Sequence, residues 1–466
     1  MDRIIKKSSF WSLLGTFLIK SVNLISIPIF SRLLSTEEYG QANIFFTYVS
    51  IFTVLTGLDF YGTVSKGQML FKDDKYGFLS VGFFVTSVFS GAMLVLFHVF
   101  QGLFGSLLSM NPTELHLLVI YSYAMAVVSF MSGSMIYDFN YKGNTALSFS
   151  VAVLNLVFSV ILIQTFCAGD RKFGRILGAA LPAIVIGVVL YIYVMRRGRK
   201  IWKTEYAKYY VCQGIPLIPH NLSHFILGNA DKIMIARMIG EAQSGIYSLV
   251  YSLGLMIGAL IEAANNVWGP WMFRKLEAGQ DAVLKKAYTV YAMVFSVIAV
   301  LAGAVTPEII KIISPVEYWE GVRFSVWIVF SAYLIFIYQL YVNLEFYEMK
   351  TYLISMGTVL AAGINIVLNA IFLRKFGYGF AAVSTVASYV VLTVFHMLTV
   401  NCIIKKRVIH NTKIIIMVLL VSAVFFVMHL LLDNYIIRYV IAMTAAAAGA
   451  AVVKKSYIAF VNENEK

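Results

Sequence analysis

The segment HFILGNADKIMIAR, residues 224–237, places Asp231 next to Lys232 in an otherwise apolar stretch. Adjacent opposite charges are ordinary on a water-facing loop, but an ionised side chain surrounded by hydrocarbon costs at least about 2.5–3.5 kcal/mol. Such groups normally face a water-filled cavity or a partner side chain. Asp231 therefore either lines a hydrated chamber or has a structural role, in which it neutralises Lys232 or tethers a neighbouring helix. The sequence leaves these interpretations open.

The two charges extend a polar stripe along their own helix, and the first apolar stretch of the chain carries a similar stripe. At about 100° per residue, His220, His224 and Asp231 lie within roughly 40° of one another, and Asn221 and Lys232 lie roughly 80° further round. The polar residues of the first stretch that share an arc of about 100° are Ser12, Thr16, Lys20, Asn23 and Ser31. We therefore expect each of these helices to have one polar, hydrated face.

The elements that carry these stripes are predicted to be membrane-spanning helices. Of the 466 residues, 60% are hydrophobic and 13% are charged, which is about half the charged fraction of a soluble protein. Backbone groups in lipid must pair within their own segment, so long apolar runs form helices, whereas a β-barrel would need short alternating strands. We predict an all-α integral membrane protein with about 14 transmembrane helices, at residues 10–33, 42–65, 78–103, 114–137, 147–168, 174–195, 209–236, 244–268, 288–314, 323–345, 351–373, 377–402, 412–432 and 435–453.

Lysine and arginine residues concentrate in every second connection between the predicted spans, which places those connections and both termini in the cytoplasm. The net charge of +14 is therefore mostly a topology signal and does not indicate nucleic-acid binding. The exception is GDRKFGR, residues 169–175, which places three positive charges on the outer side. An anion-attracting outer rim is one explanation for that segment.

A weak internal repeat divides the chain into halves. The stretch SRLLSTEEYGQANIFFTYVS, residues 31–50, resembles ARMIGEAQSGIYSLVYSLGL, residues 236–255, at an offset of 205. The identical residues that support this alignment are Arg32 with Arg237 and Gly40 with Gly245. An even number of predicted helices separates the two stretches, so the halves are expected to be parallel repeats.

The longest basic connection, residues 196–208, lies between the halves. The predicted domains are an N-lobe at 1–195, a cytoplasmic linker at 196–208, a C-lobe at 209–402, and a C-terminal helix pair with a cytoplasmic tail at 403–466.

Acids and prolines recur at related places in the two halves. Asp59 and Glu262 lie on the second helix of each half, two positions away from the offset of the repeat. Pro28 lies in the first helix of one half, and Pro216 and Pro219 lie in the first helix of the other, where we expect kinks.

Other kinds of chemistry have no support in the sequence. Cys167, Cys212 and Cys402 are scattered and odd in number, so they indicate neither a disulfide framework nor a metal site. We find no phosphate-binding glycine loop and no His/Cys cluster with metal-ligand spacing. The prediction is a protein that is not an enzyme and has no resident cofactor or metal.

The chain resembles the polysaccharide transport (Wzx-type) flippases of the multidrug/oligosaccharidyl-lipid/polysaccharide superfamily. The resemblance lies in IPIFSRLLSTEEYGQANIF after the first span, NADKIMIARMIGEAQSGIYSLVYSL through the seventh and eighth spans, and NNVWGPWMFRKL at the end of the eighth. It implies two parallel six-helix lobes of the MATE and MurJ kind plus a C-terminal helix pair.

The resemblance also implies a function, which is the transfer of an undecaprenyl-pyrophosphate-linked oligosaccharide from the cytoplasmic to the outer leaflet of the bacterial inner membrane by alternating access. The head group needs a polar, cationic chamber between the lobes, because exposing it to hydrocarbon is prohibitive. The expected substrate-binding residues are Lys20, Asn23, Arg32, Asn221, His224, Lys232 and Arg237, although snorkelling alone also explains the two arginines. The candidates for binding a driving proton or Na⁺ are Asp59, Asp231 and Glu262. Expected partners are the bilayer, the lipid-linked oligosaccharide, a polysaccharide polymerase and a chain-length regulator.

Two other functions stay open at this point. A cation-coupled multidrug exporter of the MATE kind usually has fewer helices and an acidic, aromatic chamber. The last two predicted spans, and Lys20 and Lys232 as expected residues of the chamber, argue against this function. A non-transporting scaffold would keep the helices and lose the intramembrane charges, which this chain retains.

Overall fold

The computed structural model describes the backbone of residues 2–464 and the side chains of residues 15, 17–219, 221–223, 225–258 and 260–451. Within these residues the predicted spans lie mostly on helices, and the all-α fold class is confirmed. Turns interrupt several of the spans, among them 42–65, 209–236 and 244–268. The α-helices are α1 (Asp2–Leu33), α2 (Thr36–Thr56), α3 (Val64–Leu70), α4 (Lys75–Val99), α5 (Gln101–Leu108), α6 (Pro112–Tyr137), α7 (Tyr141–Gln164), α8 (Arg171–Gly198), α9 (Thr204–Gly214), α10 (Ile218–Met238), α11 (Glu241–Gly254), α12 (Ile257–Glu277), α13 (Asp281–Ile313), α14 (Val322–Tyr347), α15 (Thr351–Phe376), α16 (Phe380–Leu398), α17 (Asn411–Leu430) and α18 (Tyr435–Asn464). Shorter turns are the 3₁₀ segments Phe60–Thr63, Lys72–Asp74, Ile215–Leu217 and Val316–Gly321 and the π-helical segment Thr399–Ile404.

Many of these helices are long and apolar enough to cross a membrane. In the part of the chain that the structure describes, nine helices qualify, and α2 together with the bent segment after it makes a tenth if the pair is one span. The chain is therefore a multi-pass membrane protein, while the count of 14 and the cytoplasmic location of the termini stay predictions.

The helices pack as two compact units, residues 1–229 and 230–466. The division falls inside α10, which begins in one unit and ends in the other. The predicted limits of the lobes, the linker and the C-terminal pair stay predictions.

Local sequence explains how the second helix of the first unit begins. Ser35 Oγ accepts a hydrogen bond from the Glu38 N–H at 3.1 Å, and the Glu38 carboxylate accepts one from the Ser35 N–H at 2.8 Å. This reciprocal cap satisfies two backbone donors that a helix start leaves without partners. After α2 ends, the chain bends by 60° into Phe60–Leu70.

Proline breaks the predicted seventh span into pieces. Pro216 lies in the 3₁₀ turn Ile215–Leu217, which separates α9 from α10, as expected for a residue that lacks a backbone donor. The aromatic residues of α9 belong to the core of the first unit, where the Tyr210 ring stacks on Phe60 at 4.9 Å and on Phe78 at 4.4 Å.

The second unit is built around α14, which is largely enclosed by other helices. The C-terminal pair packs on α13. The Phe425 ring of α17 fills the space that a side chain at Gly303 would need, and Arg438 of α18, only 1% exposed, donates to the Ala304 carbonyl at 2.5 Å and pairs with Glu308.

Candidate functional site

Asp231 is the centre of a buried polar cluster in the second unit, with an exposed fraction of only 2%. Its Oδ2 accepts hydrogen bonds from Tyr247 Oη of α11 at 2.9 Å and from Thr385 Oγ1 of α16 at 2.5 Å. Its Oδ1 accepts one from Asn369 Nδ2 of α15 at 2.7 Å. Asp231, on α10, therefore connects three other helices.

A second set of hydrogen bonds holds these partners in place. Asn365 and Asn369 lie one turn apart on α15 and are fully buried, and Asn369 Nδ2 lies 3.3 Å from Asn365 Oδ1. Ser384 Oγ of α16 donates to Asn369 Oδ1 at 2.6 Å, and Asn365 Nδ2 donates to Thr385 Oγ1 at 3.4 Å. We name as the Asp231 cluster the residues Asp231, Tyr247, Asn365, Asn369, Ser384 and Thr385.

The Asp231 cluster places two hydroxyl groups and one amide NH₂ group around one carboxylate. An isolated buried carboxylate is prohibitively costly, and three donated hydrogen bonds offset part of that cost because bonds to a charged acceptor are the stronger kind. Carboxylate, hydroxyl and amide oxygens are also the ligands that hard cations prefer. The cluster therefore has the chemistry to hold a proton or a small cation. Asp231 was expected either to line a hydrated chamber or to have a structural role. Its hydrogen bonds to three helices of its own unit are those of a residue that tethers neighbouring helices.

Lys232, the neighbour of Asp231 in the chain, meets an aromatic ring. Its side chain is half-buried, and its ammonium lies 4.9 Å from the centre of the Tyr251 ring. The face of an aromatic ring attracts a cation, most strongly where water is scarce. The Lys232 carbonyl also accepts a hydrogen bond from Ser244 Oγ at 2.8 Å, which fixes the turn between α10 and α11.

Asp59 lies in the first unit, in the bend that follows α2. Its backbone has φ of 52°, in the left-handed region, where asparagine and aspartate are the non-glycine residues most often found. The side chain is fully buried, and Oδ2 accepts a hydrogen bond from Asn221 Nδ2 of α10 at 2.5 Å. The structure thus joins a predicted ion ligand to a predicted substrate ligand, which were expected to have separate roles.

The other predicted site residues are exposed, or their side chains lie outside the described part of the chain. Those that are exposed are Lys20, Asn23 and Arg32 of α1, Arg237 of α10 and Glu262 of α12. Arg32 Nη1 donates to the Pro28 carbonyl at 3.1 Å, which suits an arginine at the end of a helix. The side chain of His224 lies outside the described part of the chain. Glu262 and Asp59, which the repeat nearly aligns, therefore differ in burial.

The charged residues of the segment GDRKFGR take part in the packing of the first unit. Lys172 pairs with the buried carboxylate of Glu114 at 2.6 Å, and Arg171 donates to a main-chain carbonyl at the end of α1 at 3.3 Å. The Arg175 guanidinium lies 4.0 and 4.6 Å from the ring centres of Phe30 and Phe46 and donates to Asn155 and Ser159. An anion-attracting rim is therefore not needed to explain them.

A further buried acid, Glu345, pairs with a histidine. Glu345 of α14 and His396 of α16 are both fully buried, and His396 Nδ1 lies 2.8 Å from Glu345 Oε1. The Tyr338 ring stacks on the histidine at 5.9 Å. The two residues are distant in the chain, so spacing alone did not connect His396 with Glu345.

A comparison with protein families decides which group of proteins this is. Residues 5–276, more than half of the chain, match the model of the polysaccharide biosynthesis protein family. The chain belongs to this family. A relative named for the Lsg locus of Haemophilus influenzae is 24% identical over 367 residues, which cover 76% of this chain and 88% of the relative.

Solved structures show that this polysaccharide biosynthesis family member has a known transporter fold. The lipid II flippase MurJ in an inward closed conformation superposes with a TM-score of 0.67 at 13% identity, over 96% of this chain and 99% of that one. The MATE multidrug transporter DinF-BH superposes with a TM-score of 0.57 at 16% identity, over 86% and 96%. The predicted fold of the MATE and MurJ kind is confirmed, and the matched family agrees with the predicted resemblance to polysaccharide transport proteins. The family and the fold also agree with the prediction that the protein is not an enzyme.

Proposed function

We propose that this protein is a flippase that moves an undecaprenyl-pyrophosphate-linked oligosaccharide from the cytoplasmic to the outer leaflet of the inner membrane, and that an ion bound at Asp231 drives it. Two findings together support the proposal. The chain belongs to a polysaccharide biosynthesis family, and it has the fold of a flippase that acts on a lipid-linked sugar. A sugar head group cannot cross hydrocarbon unaided, because its polar groups would lose their hydrogen bonds.

The Asp231 cluster supports the coupling part of the proposal. It connects α10, α11, α15 and α16 through one carboxylate, so a change in the charge of Asp231 acts on four helices at once. Binding a proton or Na⁺ there replaces some of the donated hydrogen bonds. An ion can shift a transporter between states only through such a difference in binding energy.

Lys20 and Lys232 are the residues that we propose for the pyrophosphate. Lys20 is exposed on α1, and Lys232 is half-buried above an aromatic ring. A lysine ammonium acts as a point charge that tolerates many phosphate geometries, which suits a substrate that moves during transport. Asn23, Arg32, Asn221, His224 and Arg237 stay proposed contacts to the head group.

The direct test reconstitutes the protein in liposomes with a radiolabelled lipid-linked oligosaccharide. Leaflet transfer is measured as the change in the fraction of sugar that membrane-impermeant periodate oxidises. We expect protein-dependent transfer, and we expect Lys20→Ala to slow it at an unchanged protein level. No transfer by the wild-type protein would count against the flippase, and full activity of Lys20→Ala would remove that residue from the mechanism.

The coupling ion is tested in the same liposomes with either a Na⁺ gradient at constant pH or a pH gradient without Na⁺. The gradient that accelerates transfer identifies the ion, and Asp231→Asn should abolish the acceleration. Asp433→Asn, the same change at an exposed position of the second unit, is the matched control. Gradient-driven efflux of organic cations by the same preparation would instead favour the multidrug exporter.

A further inference from the structure

A cavity of about 540 Å³ lies within the second unit and takes no part in the site described above. Its walls come from the start of α14 and the turn before it, from the Gly377–Gly379 loop between α15 and α16, and from the end of α17. Cavities of about 300–1,000 Å³ are typical of small-molecule sites. We name this cavity the aromatic pocket and define it by Glu320, Arg323, Phe324, Trp327, Tyr378 and His429.

Ring faces and charged groups line the aromatic pocket together. Phe324 and Tyr378 lie edge to face with their ring centres 5.4 Å apart, and Trp327 lies against the His429 ring at 5.4 Å. Glu320 and Arg323 of the same lining are exposed, so one carboxylate and one guanidinium are available to a ligand.

Two buried polar atoms of the lining make no hydrogen bond of ordinary geometry with the described residues. They are the hydroxyl oxygen of Tyr378, a residue that is only 9% exposed, and Nδ1 of His429. The Glu320 carboxylate interacts with the Tyr378 hydroxyl from outside ordinary hydrogen-bond geometry. A buried polar atom without a partner costs about 1–3 kcal/mol, so native structures keep few of them. A polar ligand in the pocket can supply the bonds that the protein leaves unformed.

The loop that carries Tyr378 is shaped by its two glycines. Gly377 has φ of 79°, which favours glycine, and a Cβ there would meet no atom within 4 Å. At Gly379 a Cβ would come within 3.2 Å of the Phe324 ring. Gly377 therefore gives the loop its backbone conformation, and Gly379 allows the loop that carries Tyr378 to approach the Phe324 ring closely.

This combination suits a sugar better than a lipid. The apolar faces of a sugar ring pack on aromatic side chains, and its hydroxyl groups both donate and accept hydrogen bonds. An acyl chain would satisfy neither the Tyr378 hydroxyl nor the His429 nitrogen. The anionic head of a phospholipid would meet Arg323 favourably but would face the carboxylate of Glu320.

We propose that the aromatic pocket binds an uncharged sugar residue of the transported oligosaccharide, at a site separate from the residues proposed for the pyrophosphate. The source of the sugar rests on the proposed function. The pocket also connects to the Asp231 cluster, because the Phe324 ring stacks on Tyr247 at 5.6 Å and Tyr247 donates to Asp231. A sugar that moves the Phe324 ring thus acts one side chain away from the carboxylate proposed to bind the driving ion.

The experiment measures binding to the full-length protein in nanodiscs of phosphatidylcholine. The probe is the water-soluble oligosaccharide that mild acid releases from the lipid-linked repeat unit of the host, labelled with tritium by borohydride reduction. Equilibrium dialysis should show saturable binding. Tyr378→Phe, which removes one hydroxyl, should weaken it by about three- to tenfold, and Trp327→Leu should weaken it further. Tyr435→Phe, at an exposed tyrosine of the same unit, is the matched control and should leave binding unchanged. Size-exclusion chromatography and thermal unfolding show that each variant is folded.

Three results would overturn the pocket. The first is no saturable binding by the wild-type protein, and the second is binding by Tyr378→Phe and Trp327→Leu as strong as that of the wild type. The third is displacement of the probe when phosphatidylglycerol replaces part of the nanodisc lipid, which would assign the pocket to a phospholipid head group. The liposome assay separates this failure from that of the proposed function. Leaflet transfer without binding rejects the pocket alone, and binding without transfer rejects the flippase alone.

Discussion

Replacing Asp231 by asparagine keeps the shape of the side chain and removes its charge and one acceptor oxygen. The oxygen that asparagine retains can still accept from Asn369, whereas an NH₂ group then faces Tyr247 and Thr385. The Thr385 hydroxyl has another acceptor, because the Ala381 carbonyl lies 2.8 Å away. The Tyr247 hydroxyl loses its carboxylate partner, and a hydrogen bond to a charged acceptor contributes about 1.5–3 kcal/mol. We therefore expect Asp231→Asn to lower the free energy of unfolding of the second unit by about that amount.

Exchanging the side chains of Asp231 and Asn369 tests whether the two residues act as one unit. Asn369→Asp alone places a second carboxylate where the amide nitrogen now lies 2.7 Å from Asp231 Oδ1, so two like charges oppose each other at close range. The double variant Asp231→Asn with Asn369→Asp restores one carboxylate beside one amide. We expect it to be more stable than the sum of the two single changes predicts, by about 0.5–3 kcal/mol.

The assay is reversible unfolding of the purified protein in mixed micelles of dodecyl sulfate and a mild detergent. Asp433→Asn is the control for a loss of one negative charge. Strict additivity of the two changes, or an Asn369→Asp variant as stable as the wild type, would show that Asp231 and Asn369 do not act as one unit.

Three further predictions concern contacts elsewhere in the chain and are checked by thermal unfolding in detergent. His396→Leu leaves the buried Glu345 without its hydrogen-bond partner and should destabilise the protein by about 1–3 kcal/mol, while replacing both residues by leucine should cost less; equal losses would argue against the pair. Arg175→Lys cannot reproduce two hydrogen bonds and two ring contacts with one ammonium, so we expect a lower unfolding temperature, and an unchanged one would show that the guanidinium is not needed. Gly178→Ala should be strongly destabilising, because a Cβ there would overlap backbone atoms of Ser159 in α7, whereas Gly91→Ala, with no atom within 4 Å, should be neutral or stabilising; similar effects of the two changes would contradict this packing.

The residues of the Asp231 cluster show where prediction from sequence stopped. Asp231 stood out because a charge in an apolar stretch is costly. Its partners on α15 and α16 did not stand out, although Asn365 and Asn369 are four residues apart and so share one face of an apolar helix. A helical projection of those two spans would have revealed the polar stripe. It would not have revealed which other helix the stripe faces.

The charged residues of GDRKFGR also have partners that the sequence did not reveal. Their positions predicted a charged segment on the outer side, and an anion-attracting rim was one explanation for it. Arg175 instead lies between two aromatic rings from α1 and α2. These helices are more than a hundred residues away in the chain, so no local pattern could connect them.

The amino-acid sequence was enough to predict a helical membrane protein, the approximate positions of its long helices, the family it resembles and the intramembrane charges that need partners. Those conclusions depend on hydrophobicity and on residues close together in the chain, because a helix in lipid satisfies its own backbone. The packing of the helices was needed to show that Asp231 accepts hydrogen bonds from three other helices, that Asp59 accepts one from Asn221, and that Tyr378 and His429 line one pocket. Each of these contacts joins residues distant in sequence, and a side chain acquires its chemical role from the neighbours that packing gives it.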